Sequence, residues 1–544
     1  MRESRGVGEM RRRWWIGVTL RVALGALLLA VVVRVGQGLV HAPVIDDAYI
    51  YLSAARTLRD TGRLAASPFH ELLVGITCPL YPTLLAGLGF VADLPAASVA
   101  IGLCAAILGT WFAYSTALEA QRPRRSGVLA AVASVPIAMS SIVAANSISG
   151  MESILSFLGI AVLASVHVHR GVGWRSGLAA SPLTALRPDG ILVPIAVVAE
   201  ALIAAIPAGR AERRRKLRGA LEFLVPVTIA ASCLAGTFLL STGRTFPNTV
   251  AARIALYGWG ERGALEKIVS TASELYALLR LNPWWSVLGF LGAAASWGDW
   301  KAHPDVASTG RWLSLLPIGY LAVLGFEGVP SNYQFHRYIL PGITAGLMLC
   351  VIGFAQGWPE GSRSVRIAVV GAMALGVVQE IRNIEQARDA VGPLQSVNLL
   401  YDNVLKETGG LAAPCDRVAV VDTGRPLWIL RQRVFDVGGL VDRSATASFL
   451  DPSSGSSIPF DRRDVAAVLD REEVDWFIVL DLFWGDMLPF RRSTGLQRLP
   501  FGAPWSVYGK PGADRHRSAP PCEDPVPGQP AQGGLRTAPQ ANPP

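Results

Sequence analysis

Four short polar clusters stand out against a largely apolar chain. Asp46-Asp47 follows the first apolar segment, and Gly150-Met151-Glu152 separates two later ones. Arg187-Pro188-Asp189-Gly190 joins a tight pair, and the stretch Asn332 to Tyr338, with His336, Arg337 and Tyr338, precedes a further one. These residue types suit one kind of chemistry. A carboxylate can take a proton from a hydroxyl, and guanidinium groups can hold a departing phosphate. Ionisable groups at membrane depth are expensive, so they line a cavity or pair with one another. A bland reading stands beside each cluster. Asp46 is a natural N-cap before Ala48, and Glu152 favours the start of its helix through the dipole. Arg187 can snorkel to a headgroup, and Pro188 with Gly190 can simply make a turn. Taken singly, Asp189 and His336 read as structural, and Arg187 is balanced between the two readings. For Asp46, Asp47 and Glu152 together, the functional reading is the stronger. His167-x-His169 lacks a third ligand and reads as interfacial rather than metal-binding.

The elements that must position these residues are membrane helices. The 544 residues are 51% hydrophobic and only 17% charged, with a mean hydropathy of +0.37. A soluble surface of this size carries more charge. Several apolar stretches approach the ~20 residues that span a bilayer. The first, Trp15 to Val40, is too long for a signal h-region and lacks a cleavage site before His41, so it reads as an uncleaved anchor. Arg21 and Arg34 within it must snorkel or pair. The net charge of +9 and pI of about 9.4 do not indicate nucleic acid, because the arginines crowd into short loops at Arg11 to Arg13, Arg122 to Arg125 and Arg210 to Arg218. Such loops face cytoplasmic anionic lipid. No zinc-finger spacing, RNP-like motif or Walker A loop accompanies them.

Loop charge fixes the topology. With Arg11 to Arg13 inside, the first span exits near His41, and residues 41–95 form a first outer loop. Within it, Asp46 to Asp60 has Ala48, Tyr51, Leu52, Ala55 and Leu58 on one side, an interfacial helix outside the membrane. Pro79 to Leu94 is short and broken by prolines, a re-entrant or interfacial piece. Crossings follow at Ala96–Leu118, Val128–Ala145, Ile154–Val168, Leu178–Leu186, Ile191–Ile206 and Leu221–Leu240, then an outer loop over 241–283 with an amphipathic helix. Further spans start near Trp284, Trp312, Ile339 and Ile367, about eleven in all. All four polar clusters then share the outer face. The expected fold is predominantly α, a polytopic membrane domain over 1–380, followed by a small extracytoplasmic α/β domain over 381–510. Val418 to Asp422, Val434 to Val437 and Trp476 to Leu480 are its strands. The Pro/Gly-rich stretch 511–544 reads as a disordered tail. Of the six cysteines, Cys415 and Cys522 alone fall in the outer part, where an oxidising compartment permits a disulfide.

At these residues a resemblance appears. Asp46-Asp47-Ala48-Tyr49-Ile50, with Arg56-Thr57-Leu58 and Gly62, resembles the first outer loop of GT-C membrane glycosyltransferases. The likeness is to the branch of actinobacterial terminal arabinofuranosyltransferases and their bacterial relatives. Gly75-Ile76-Thr77-Cys78-Pro79-Leu80, Gly150-Met151-Glu152-Ser153, Leu186-Arg187-Pro188-Asp189-Gly190, Phe246-Pro247-Asn248-Thr249 and Arg337-Tyr338 recur in the family's order. Departures are Ile76, where relatives often carry an aromatic, and Arg253, commonly a lysine. Asp422-Thr423-Gly424 and Asp436 to Leu440 are similar, more loosely, to the family's C-terminal domain. The resemblance implies a sugar moved with inversion from a polyprenyl-phosphate donor to a cell-envelope glycan, lipid or protein acceptor. It implies a multi-pass location in the inner (cytoplasmic) membrane with the site outside. It gives Asp46 or Asp47 as base, Glu152 as acceptor or cation ligand, and Arg187 and Arg337 as phosphate ligands. Asp189, Asn248, His336 and Tyr338 are weaker substrate contacts. No cofactor is implied, and a divalent cation stays open. The alternatives are a transporter or flippase of lipid-linked sugars, which favours internal repeats not found here, and a non-catalytic envelope scaffold.

Overall fold

The computed structural model describes residues 2–38, 40, 42–121, 126–245, 247, 264–298, 304–327, 336–360, 362–421, 423–430, 432–437, 469–480, 497–498 and 505–509. The expectations placed on Arg122 to Arg125, Asn248, Cys522 and 511–544 lie outside them. In chain order the helices are α1 (Arg2–Val35), α2 (Ala48–Thr61), α3 (Leu80–Leu88), α4 (Leu94–Ala120), α5 (Gly127–Met139), α6 (Ser141–Ser147), α7 (Ser153–Arg170) and α8 (Trp174–Leu186). A 3-10 turn at Pro188–Ile191 leads to α9 (Leu192–Ala205) and α10 (Arg210–Thr242). Then come α11 (Ala264–Leu281), α12 (Pro283–Trp297), α13 (Pro304–Glu327), α14 (Leu340–Glu360), α15 (Arg363–Leu411) and the short α16 (Gly424–Ile429).

Each apolar segment taken as a span is helical here. Six of the described helices are long and apolar enough to cross a bilayer, or seven if α5 and α6, bent by 60°, are one span. α8 and α12 have only 13 and 15 residues, so length supports fewer full crossings than the eleven expected. The α5–α6 break is local: Ser140 is extended, and its hydroxyl caps the new helix by accepting from the Val143 N–H at 3.3 Å. α3, with nine residues, rises only about 14 Å and cannot cross. Arg210 to Arg218 is not a loop but the first turns of α10, which carries its basic residues out of the apolar stretch on helix. Arg34 pairs with Glu385 through two 2.8 Å bonds, tying α1 to α15. Arg21 donates to Ser115 at 3.2 Å and lies over the Tyr114 ring.

α2 corrects the sequence reading more deeply. Its amphipathic pattern predicts one face on a membrane interface, yet Ala48 through Ala55 are all buried. α3 covers one side and α16, from the C-terminal domain, covers another. A helical period reports the first covered face and is silent on the second.

α15 runs unbroken for 49 residues, straight through the expected boundary at 380, and delivers the chain to the C-terminal α/β domain. There β1 (Arg417–Val420), β2 (Arg433–Asp436), β3 (Trp476–Leu480), β4 (Gln497–Arg498) and β5 (Trp505–Gly509) form one sheet in the order β2-β1-β3-β5-β4. β1 is parallel to β2 and β3, whereas β5 is antiparallel to β3 and β4. The central parallel strands carry the apolar runs Val418–Val420 and Trp476–Val479, buried on both faces. Val418, Val420, Trp476 and Ile478 share a core with Tyr401 and Leu405 of α15. Cys415, just before β1, is disulfide-bonded.

Candidate active site

Arg187 is placed by the residue after it. The ring of Pro188 disfavours helix at the preceding position, so Arg187 ends α8 in an extended conformation at φ −152° and ψ 143°. Its guanidinium thereby turns to Asp189, with Nε donating to Oδ1 at 2.9 Å, and to Glu152, with Nη1 donating to Oε1 at 3.3 Å. Glu152 stands at the first turn of α7, where the helix dipole favours its charge, but its side chain makes no cap bond. It is aimed inward instead, and among the described residues its Oε2 has no hydrogen-bond partner. Gly150 makes this possible. Its φ is +76°, and a Cβ there would lie 2.5 Å from the Pro43 side chain. The Tyr81 hydroxyl fixes the same turn by donating to the Gly150 carbonyl at 2.9 Å.

The second arginine arrives from the other end of the chain. His336 adopts a left-handed φ of 59°, a conformation in which histidine is over-represented among non-glycine residues. The turn it starts closes with the Ile339 N–H donating to the His336 carbonyl at 3.1 Å. Arg337 then donates from Nη2 to Asp47 Oδ2 at 2.5 Å and also contacts the Tyr338 hydroxyl. The Tyr338 ring lies between the two cations, 4.5 Å from the Arg337 Cζ and 5.4 Å from the Arg187 Cζ. Such cation–ring contacts strengthen where water is excluded. Asp47, Arg337, Tyr338, Arg187, Glu152 and Asp189 therefore form one continuous cluster, drawn from four distant segments. Both arginines are buried, while the Asp47 side chain keeps 23% of its surface.

Asp46 goes elsewhere. Neither aspartate caps α2 through its side chain. The Asp46 carboxylate accepts from the backbone N–H groups of Gly424 and Arg425, each at 2.8 Å, at the start of α16. The adjacent pair is thus split, one facing the C-terminal domain and one facing the arginines.

Residues that sequence reasoning missed form the neutral wall. Tyr51 and Tyr81 meet edge to face with centroids 5.6 Å apart, and the Tyr51 hydroxyl pairs with Thr77 Oγ1 at 2.6 Å. Burial, reinforced by the Glu152 charge, pushes both phenols well above their ordinary range, so they stay protonated. The Cys78 thiol is raised for the same two reasons. The Gly75 to Leu80 motif was the available signal, since it supplies Thr77 and Cys78. Among the described residues no three His, Cys, Asp or Glu side chains converge as a metal site.

Solved structures share this architecture. ArnT from Cupriavidus metallidurans bound to undecaprenyl phosphate superposes with a TM-score of 0.57 at 12% identity, over 90% of this chain and 97% of that one. The same protein in the apo state gives 0.51 at 13% identity, covering 91% and 98%. The Archaeoglobus fulgidus oligosaccharyltransferase in the apo form gives 0.51 at 10% identity, covering 85% and 69%. The chain has a GT-C fold. No family model matches the sequence, and no curated protein matches it. At these identities the likeness speaks for the GT-C fold alone and does not reach the arabinofuranosyltransferase branch. Within that fold, the charged cluster sits where α7, the Pro188 turn and α14 begin. His336 contributes the backbone turn that presents Arg337, and Asp189 contributes both its carboxylate to Arg187 and its carbonyl to the Tyr320 hydroxyl at 3.1 Å.

Proposed function

We propose that the protein is a glycosyltransferase that moves a sugar from a polyprenyl-phosphate donor to a hydroxyl of an envelope glycan, lipid or protein. The site faces the outer side of the inner (cytoplasmic) membrane, and the reaction inverts the anomeric carbon. The observation that carries this is the Arg187–Tyr338–Arg337 stack with carboxylates at both ends. Paired buried guanidiniums suit a phosphate, which they can grip bidentately. The GT-C fold shared with a protein bound to undecaprenyl phosphate supports a lipid-linked donor.

In this reading the donor phosphate competes for Arg337 and Arg187. Drawing Arg337 toward the phosphate loosens its hold on the Asp47 carboxylate beside the acceptor. Asp47 takes the hydroxyl proton as the acceptor oxygen bonds to the anomeric carbon. The carbon–oxygen bond to phosphate breaks on the opposite side, and its electron pair leaves with the phosphate onto the arginines. Glu152, whose Oε2 accepts from no described residue, orients the acceptor by accepting from a second hydroxyl. The sugar arrives preactivated, so the chemistry needs no nucleotide site.

The test is transfer by the purified full chain in nanodiscs, offered a panel of polyprenyl-phosphate sugars and scored for release of polyprenyl phosphate. Release that depends on Arg187 and Arg337 supports the assignment. A folded protein that binds these donors without cleaving them, or moves them across a vesicle membrane intact, overturns it.

A further inference from the structure

The C-terminal domain reaches the site through one short segment, residues 43–49, and holds it along its length. Asn398 of α15 donates from Nδ2 to the Val44 carbonyl at 2.8 Å. The buried Arg425 guanidinium bonds Asp402 at 2.5 Å, reaches the Pro43 carbonyl at 3.5 Å and lies 4.5 Å over the Tyr49 ring. Both oxygens of Asp46 are taken by the start of α16. About two turns further on, Arg56 donates to the carbonyls of Leu427 and Trp428 at 2.9 Å each and lies 4.4 Å over the Trp428 indole. The approach is so close that only glycine fits at position 424, where a Cβ would fall 1.9 Å from the Asp46 carbonyl oxygen.

A tether does not need these contacts, because α15 already joins the C-terminal domain to the bundle as one continuous helix. What they fix is a backbone. Asp47 is the residue next to Asp46, so whatever holds Asp46 sets where the Asp47 carboxylate meets Arg337 and the acceptor. We infer that Gly424, Arg425 and Asn398 are positioning residues of the transfer reaction, and that docking of the C-terminal domain aligns the base. This rests on the assignment of Asp47 proposed above. The donor phosphate is held by arginines on other elements, so misdocking must show in turnover rather than in donor affinity.

Gly424→Ala tests this without replacing a charged group, its added methyl pressing on the Asp46 carbonyl and carboxylate. A displacement of about 1 Å at a reacting group costs roughly 10²-fold in rate. The expected result, in protein that remains folded, is a kcat lowered by about 10²-fold with the donor KM held within about twofold and faster hydrogen–deuterium exchange over residues 43–49. Gly410→Ala, where added bulk meets open space, is the matched control and stays native. Arg425→Lys keeps the charge facing Asp402 and recovers part of the kcat lost in Arg425→Ala. Native kcat in Gly424→Ala overturns the inference, as does a kcat loss that arrives with an equal rise in KM and a lower melting temperature. The exchange measurement needs no sugar chemistry. If the wild-type protein transfers nothing, the proposed function falls, and unchanged exchange over 43–49 is then the result that sinks the docking inference separately.

Discussion

Among the described residues the bundle holds two buried acid–arginine clusters, one near each end, and their bonding differs. In the one away from the sheet, Glu200 of α9 accepts at Oε1 from Arg311 Nη2 at 2.6 Å and Nε at 2.9 Å, and at Oε2 from the Ser308 hydroxyl at 2.6 Å. Arg311 also donates to the Ser296 carbonyl at 3.1 Å, and His167 pairs with Ser308 at 3.1 Å. One acid meets one arginine, both carboxylate oxygens are engaged, and four helices are tied together. The cluster at the candidate site has more charge than such a pair requires. Arg187 serves two carboxylates, Glu152 keeps an unanswered oxygen, and Asp47 is partly open to water. Its members stand at helix ends and turns rather than mid-helix. A buried acceptor left unsatisfied costs about 1–3 kcal/mol; here it is a carboxylate oxygen, whereas the unanswered atom in the other cluster is His167 Nδ1.

The largest effect that sharpens this contrast is at the split aspartate pair. Asp47→Asn is nearly isosteric and removes the base, which costs about 10²–10⁴-fold in kcat. Asp46→Asn keeps an acceptor for one of the two α16 amides and loses the other bond, worth about 1 kcal/mol, so its loss of turnover stays near tenfold or below. Steady-state transfer assays on the two variants decide it. If Asp46→Asn is the more damaging, the roles are reversed; if both are near native, the base lies elsewhere.

Next comes the arginine cluster itself. Arg187→Ala should raise the donor KM and lower kcat together, because phosphate is gripped in both ground and transition states. Glu152→Gln should lower kcat by roughly 10²-fold with little change in donor KM, if the residue orients the acceptor. A donor KM unaffected by Arg187→Ala would move the phosphate away from this stack.

Glu200→Ala is the counterpart at the other end. Removing one partner of a buried pair typically costs about 3–5 kcal/mol, so the melting temperature in detergent should fall clearly. The kcat of the protein that remains folded should stay native, since nothing in the Glu200 cluster faces the donor. Loss of turnover without loss of stability would show that the two clusters are coupled.

How much of this was legible in the sequence depends on the range of the signal. Pro188 announces the extended backbone at Arg187, and Gly150 announces the turn before Glu152, because both act on adjacent residues. The apolar runs of β1 to β3 were equally readable. Pairing across the chain was not. Asp46 looks like a cap for Ala48, and its partners are Gly424 and Arg425, 378 and 379 residues away. Glu200 stands out as an acid in an apolar run, but nothing nearby points to Arg311, 111 residues on. The second buried face of α2 depends on α16 packing from the distant C-terminal domain, and around residue 380 α15 is held by Ser141 and Asn282, which both bond Glu380. Trp505 to Gly509 is a strand only because β3 lies beside it.

The smallest effect belongs to a third acid–arginine pair, Arg34 with Glu385. Its geometry is as good as any in the molecule, two parallel bonds of 2.8 Å between α1 and α15. Its setting is not, because both side chains are about half exposed, at 53% and 41%. Water answers either group when the other is removed, so geometry alone confers little. Arg34→Ala should leave the melting temperature and kcat indistinguishable from native, in low salt as in high. Burial and unanswered bonding, rather than the presence of an ion pair, then rank the three. The informative failure is specific. α15 leads from this pair to Asn398, which holds the Val44 carbonyl beside the site. A fall in kcat for Arg34→Ala at unchanged stability would mean that the α1–α15 joint transmits to the docking of the C-terminal domain, and that burial is the wrong measure of which pairs matter.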